Sequence, residues 1–82
     1  MKAIEINEFI KKNPVSYKSI KVIFNDGTFK VGFFDFFDDS KKLELENKWR
    51  FVENTRSLKF LETKDLNYTT ILSGEEIKKI EY

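Results

Sequence analysis

The sequence predicts a mostly β fold, in which a short N-terminal α-helix precedes a strongly bent, five-stranded antiparallel small barrel. Apolar residues recur at helical spacing near the amino terminus, whereas later they alternate with polar ones as in half-buried strands. Asp-Gly and Ser-Gly dipeptides divide the alternating part into short segments joined by turns. Closure into a barrel is predicted because so few strands would otherwise leave exposed edges.

The composition predicts one small domain over residues 1–82, with the helix at about 3–12 and the barrel at about 17–82. The chain has no cysteine and no histidine, which removes disulfides, thiolate metal sites and the commonest general base. We therefore predict no enzyme activity, no catalytic residues, no metal and no cofactor. The net charge of +1, with lysine and glutamate intermixed, is typical of a solvated surface and neither supports nor excludes nucleic acid.

The apolar segments are too short to predict membrane insertion. None approaches the roughly 20 residues that span a bilayer. The N-terminal apolar stretch is interrupted by Glu5, Asn7 and Glu8, which is atypical of a signal peptide. The prediction is a cytoplasmic protein that does not enter membranes.

The first element is a helix over residues 3–12. Ala3, Ile6, Phe9 and Ile10 lie on one helical face, and Asn13-Pro14 should end the helix because the residue before proline avoids helical geometry. This face is expected to cover the core, and the alternative is that it binds a partner.

A β-hairpin follows. Ile20, Val22 and Phe24 alternate along the first strand, and Asn25-Asp26-Gly27 predicts a turn because Asp-Gly accepts a positive φ. The return strand should bend at Gly32, since glycine inside a strand often marks a bulge or a sharp bend.

The segment GFFDFFDD after the hairpin contains more phenylalanine than one face of a strand can bury. Adjacent phenylalanines point to opposite faces of a strand, so some need a helix or a neighbouring subunit to cover them. Exposed apolar patches mark interaction sites. The residues predicted to form an oligomer or partner interface are Phe33, Phe34, Phe36, Tyr68 and Ile71.

The remaining segments are predicted as strands and loops. Residues 38–42 should form a polar loop, and the alternating leucines and aromatics of 43–51 one long strand, or two strands broken near Asn47. Short strands are predicted at Leu58 and Phe60, at 68–72 and at 77–82. Ser73-Gly74-Glu75 is the predicted turn before the last strand.

This order of elements resembles the Sm and Sm-like (LSm) family of SH3-type small barrels, whose members form rings by joining strand edges. The resemblance covers nearly the whole chain. The positions that match the family's first motif are Asp26-Gly27, Gly32, Phe37-Asp38, Leu43 and Leu45. The second motif corresponds to Ile71-Leu72-Ser73-Gly74 followed by Ile77 and Ile80.

The resemblance implies a homo-oligomeric ring and an RNA site, but this chain differs at the positions that would contact bases. These positions hold Ser40, Lys42 and Ser73, where the family has a stacking side chain, an asparagine and an arginine. Serine offers no ring for stacking, and lysine lacks the paired donor and acceptor of asparagine. Any RNA bound is therefore expected on a divergent surface.

Other surface candidates lie near these positions. Trp49, between Lys48 and Arg50, has the aromatic-plus-cation composition that stacks on nucleic-acid bases, although its alternation with Leu45 and Phe51 favours a core tryptophan. The residues predicted for nucleic-acid binding are Ser40, Lys41, Lys42, Lys48, Trp49, Arg50, Ser73 and Gly74. Asp35, Asp38 and Asp39 could suggest a metal or acid–base pair, but their surroundings favour a turn.

Two functional hypotheses follow. The first is a non-enzymatic Sm-like binding module that forms a homo-oligomeric ring and binds RNA or other single-stranded nucleic acid. The alternative is an SH3-type barrel that serves as a structural or protein–protein interaction module without a nucleic-acid role. The first predicts salt-sensitive nucleic-acid binding, whereas the second predicts a protein partner at the surplus phenylalanines or at a strand edge.

Overall fold

The computed structural model describes residues 1–12 and 19–81. The predicted helix stop at Asn13-Pro14 and the predicted strand end at Tyr82 lie outside the described residues. The helices are α1 (Ala3–Lys12), α2 (Ser40–Leu45) and α3 (Ser57–Thr63). The strands are β1 (Ile20–Phe24), β2 (Phe29–Phe34), β3 (Lys48–Glu53), β4 (Thr70–Ser73) and β5 (Ile77–Glu81). Short 3-10 turns span Asn54–Arg56, Leu66–Tyr68 and Gly74–Glu76.

The strands form one five-stranded antiparallel sheet in the order β4-β3-β2-β1-β5. The predicted N-terminal helix and five-stranded antiparallel sheet are therefore confirmed. The prediction of a mostly β chain was wrong, since α2 and α3 make the fold mixed α/β.

The β1–β2 hairpin forms as its sequence predicts. Ile20 pairs with Gly32 and Ile23 with Phe29. The turn has φ +89° at Gly27, and the Asp26 carboxylate accepts hydrogen bonds from the Thr28 backbone nitrogen at 2.9 Å and the Thr28 hydroxyl at 2.6 Å. Local chemistry is sufficient here, because an aspartate that bonds two residues ahead stabilises the turn by itself.

Gly32 lies where two strands approach each other closely. A Cβ at this position would come within 1.9 Å of the Val52 carbonyl oxygen on β3. That oxygen belongs to the backbone and cannot move aside without displacing the strand. Gly32 is therefore required by the spacing of β2 and β3.

Two segments predicted as strands are helices. Leu43 and Leu45 belong to α2, which ends before Asn47, a residue with φ +55°, and Leu45 is 90% exposed. Leu58 and Phe60 belong to α3, which ends at Lys64 in the left-handed conformation. Apolar alternation over only three residues is too short to distinguish a strand from a helix by its period. On a helix the first and third residues lie on nearly opposite sides, which agrees with buried Phe60 and exposed Leu58.

Two apolar clusters on opposite faces of the sheet account for the surplus phenylalanines. The inner cluster combines α1 with all five strands, and its buried members are Ile6, Ile20, Val22, Phe34, Trp49, Phe51, Leu72 and Ile77. The outer cluster consists of buried Phe33, Val52 and Phe60, with Phe37 and Tyr68 packed against it. Helix α3 supplies Phe60, so a helix of the same chain covers the second face of β2.

Candidate binding surfaces

Trp49 is a core residue and not a stacking platform. Its side chain is 3% exposed, and its ring packs edge-on against Phe34 at a centroid distance of 6.5 Å. Its indole nitrogen donates a hydrogen bond to the Asn47 side-chain oxygen at 3.0 Å. The predicted nucleic-acid role of Trp49 is contradicted by this burial, since a base cannot reach its face.

Asn47, which the sequence marks only as the place where a predicted strand breaks, joins three parts of the chain. Besides accepting from Trp49, it donates through its side-chain nitrogen to the Met1 carbonyl at 3.0 Å. Its own carbonyl accepts from the Gly74 nitrogen at 2.7 Å. A Cβ at Gly74 would lie 2.2 Å from the Asn47 side-chain oxygen, so this glycine makes room for Asn47.

The structure thus places the connection between α2 and β3 next to the turn that follows β4. Lys48 pairs with Ser73 across β3 and β4, next to the contact between Asn47 and Gly74. Gly74 is buried and Ser73 half-buried, while Lys48 is exposed. Of these three predicted nucleic-acid residues, only Lys48 is exposed.

Arg50 is half-buried, and its guanidinium is bonded to other residues of the chain. Its guanidinium forms a two-pronged ion pair with Asp39, with Nη2 at 2.6 Å from Oδ2 and Nε at 3.1 Å from Oδ1. Its remaining nitrogen donates to the Thr69 hydroxyl at 2.8 Å. The arginine therefore ties the start of α2 to β3 and to the segment before β4, and this use conflicts with its predicted role as a free nucleic-acid contact.

Because of this ion pair, the free energy of unfolding should vary with pH in the acidic range. Hydrogen bonds and attraction from Arg50 lower the pKa of Asp39 below its ordinary value of 3.8. A carboxyl whose pKa is lower in the folded state stabilises the fold above its unfolded pKa, and this contribution disappears as the pH falls through the folded pKa. We expect Asp39→Asn to be less stable than the parent at neutral pH, with the difference shrinking below about pH 4.

Urea unfolding followed by Trp49 fluorescence at several pH values measures this difference. Asp38→Asn is the matched control, because it removes the adjacent carboxylate, and Asp38 forms no ion pair with any residue of 1–12 or 19–81. A difference between Asp39→Asn and the parent that does not change between pH 7 and pH 3 would contradict the assigned role of the ion pair.

The other predicted nucleic-acid residues lie on or beside α2. Ser40 begins this helix, and its hydroxyl accepts a hydrogen bond from the Phe37 nitrogen at 2.7 Å. Lys41 and Lys42 are exposed. Among the residues predicted to bind nucleic acid, the exposed cations are therefore Lys41, Lys42 and Lys48.

The predicted interface residues divide into buried and exposed ones. Phe33 and Phe34 belong to the two cores, so their assignment to an interface was wrong: each ring is already covered within the chain. Tyr68 is half-buried against the outer cluster. Ile71 is 47% exposed on the edge strand β4, and Phe36 is 44% exposed after β2.

A cleft of about 500 Å³ opens between β4 and the turn of the β1–β2 hairpin. Phe24 and Leu72 give it apolar walls, whereas Asp26 and Glu76 contribute carboxylates. Lys30 also lines it, and its ammonium lies 3.2 Å from the Glu53 carboxylate. No local sequence pattern predicts this cleft, because its walls come from segments that lie at least 40 positions apart in the chain.

Within residues 1–12 and 19–81, the structure shows no grouping of three or more acidic side chains able to hold a metal ion. Asp39 is engaged by Arg50, and the Asp35 carboxylate accepts from the Phe36 nitrogen. The described helices are too short or too polar to cross a bilayer.

Comparisons with protein-family models, with curated proteins and with solved structures found no match to this chain.

Proposed function

We propose that the protein is a non-enzymatic, Sm-like small-barrel module whose copies join through strands β4 and β5 in a homo-oligomeric ring. The observation that carries the proposal is the strand order, which leaves β4 and β5 as the two edges of the described sheet. An edge strand presents unpaired backbone groups, which are a template for pairing with another chain.

The inner core supports a barrel-like curvature. Leu72 of β4 and Ile77 of β5 belong to the same buried cluster, although the two strands lie at opposite edges of the sheet. A flat sheet of five strands spaced by about 4.8 Å would hold its edges nearly 20 Å apart. The 3-10 turn Gly74–Glu76 connects the two edges directly, and the four steps from Ser73 to Ile77 span at most about 14 Å, so the sheet must curl.

The edges themselves support pairing between copies. Strand β4 reads Thr-Ile-Leu-Ser and has no charged residue, so it lacks the side chains that usually protect an edge. Exposed Ile71 lies at its middle. Since β4 and β5 are different edges, joining one to the other is a head-to-tail contact, which closes into a ring when the rotation between copies is suitable.

The test is the solution mass of the untagged protein, measured by light scattering after size-exclusion chromatography. We expect a discrete species larger than a trimer for the parent. Ile71→Lys should shift it toward monomer, because a lysine on an edge strand opposes pairing. Leu58→Lys is the matched control, since it makes the same change at an exposed leucine of α3 and should leave the mass unaltered.

A monomeric parent would overturn the ring and favour an SH3-type module that binds another protein. Circular dichroism of each variant distinguishes dissociation from unfolding.

Nucleic-acid binding has less support than assembly. The strongest observation in favour of nucleic-acid binding is the exposed cationic group of Lys41, Lys42 and Lys48. Exposed Glu46 lies between them in the sequence and opposes phosphate binding. A short single-stranded RNA titrated at low and high salt tests it, since phosphate contacts weaken as salt rises.

A further inference from the structure

The cleft beside β4 is placed to contact any strand added to that edge. Thr70, Ile71 and Leu72 form one wall, and the β1–β2 turn forms the other. A strand paired with β4 would therefore run along the opening of the cleft. Its side chains would meet the charged groups that line the turn side.

Those groups make the cleft acidic. Asp26 and Glu76 supply two carboxylates, whereas Lys30, the one cation among the described lining residues, is paired with Glu53. Hydrogen bonds from Thr28 also lower the pKa of Asp26, which keeps it ionised. The cleft thus favours a cationic occupant and disfavours phosphate.

Strand β5 carries the complementary charge. Its pairing with β1 shifts register between Ile23 and Phe24, so that both Ile77 and Ile80 pack toward the inner core. Lys78 and Lys79, between them, are both exposed. The Lys79 ammonium lies 2.9 Å from the Glu81 carboxylate of its own strand, so a contact with the next copy would share or exchange this partner. In a regular strand one of two adjacent residues faces the core, so the irregularity places two neighbouring ammonium groups on the surface.

We infer that Lys78 and Lys79 of one copy form ion pairs with Asp26 and Glu76 in the cleft of the next copy. This inference rests on the proposed assembly through β4 and β5. It adds the side chains that decide which edge of one copy joins which edge of the next. The charges direct β5 to β4 and oppose the joining of two β5 edges, whose lysines would repel each other. One head-to-tail joint, repeated between all copies, closes into a ring when the rotation between copies is suitable.

Charge reversal tests the inference. Lys78→Glu with Lys79→Glu should raise the protein concentration at which the assembly half-dissociates by about tenfold or more, since two exposed ion pairs become repulsive contacts. Lys41→Glu with Lys42→Glu is the matched control: it makes the same charge change on α2, outside the proposed joint, and should leave dissociation unchanged.

The decisive variant adds Asp26→Lys and Glu76→Lys to the Lys78→Glu/Lys79→Glu chain, which restores opposite charges at every joint. Assembly should return to within about threefold of the parent. Because Asp26 also stabilises its turn, a second rescue variant carries Glu76→Lys alone, and circular dichroism confirms the fold of each.

The outcomes separate this inference from the assembly on which it rests. A monomeric parent overturns both. An assembly that Ile71→Lys disrupts, but that Lys78→Glu/Lys79→Glu leaves intact, overturns the ion pairs and retains the edge contact. Loss of assembly without rescue in folded variants also contradicts the inference, because charge complementarity would then not be the cause.

Discussion

Phe51→Ala is expected to lower the free energy of unfolding by about 3–5 kcal/mol. Phe51 is fully buried on the inner strand β3, and its ring lies 5.3 Å from that of Phe34 in an edge-to-face contact. A domain of this size has a total stability on the order of 5–15 kcal/mol, so the variant should lose a large part of it. Urea unfolding followed by the fluorescence of Trp49, the single tryptophan, measures the loss.

Phe36→Ala is the matched control for this prediction. It deletes the same atoms from a phenylalanine that is 44% exposed, and we expect a cost below about 1 kcal/mol. The variants should be compared at one protein concentration, because self-association adds to apparent stability. Equal losses for the two variants would contradict the assignment of Phe51 to the core.

Phe60→Ala is expected to cost about 3–5 kcal/mol and to release α3 from the sheet. Phe60 is fully buried, with its ring 5.7 Å from Phe37 and 6.3 Å from Phe33. Helix α3 has seven residues, which is too short to be stable without packing. Hydrogen exchange should therefore become fast in α3 before it changes in β1 and β2.

Leu58→Ala serves as the control on the same helix. Leu58 is 70% exposed, so its truncation should change stability by less than about 0.5 kcal/mol. If Phe60→Ala left exchange in α3 as slow as in the parent, the outer cluster would not be what holds the helix in place.

The elements that the sequence predicted correctly are those encoded by neighbouring residues. In α1 the apolar residues around Ile6 recur at helical spacing, and Asp26-Gly27 sets the hairpin turn. Each signal acts within a few residues, because hydrogen bonds to the next residues and allowed φ values do not depend on the rest of the chain.

The elements that it missed are short and depend on distant contacts. Leu58 and Phe60 fit a strand as well as a helix, and α3 forms where Phe60 can cover Phe33 and Val52 from another part of the chain. Intrinsic propensity over six or seven residues is too weak to decide such cases.

The candidate sites show the same division. The alternation around Trp49 already favoured a buried ring, and the structure confirms it. The pairing of Arg50 with Asp39, and the contact of Gly74 with Asn47, could not be predicted because each joins residues on different elements.

The sequence by itself determined the N-terminal helix, the hairpin and the antiparallel sheet, since periodicity and turn residues specify them locally. Only the tertiary structure decided which phenylalanines face solvent: α3 covers Phe33 on one side of β2, and the inner core covers Phe34 on the other. The cleft beside β4 is likewise a tertiary feature. Burial is a property of what packs against a side chain, and the covering residues lie far along the chain from those they cover.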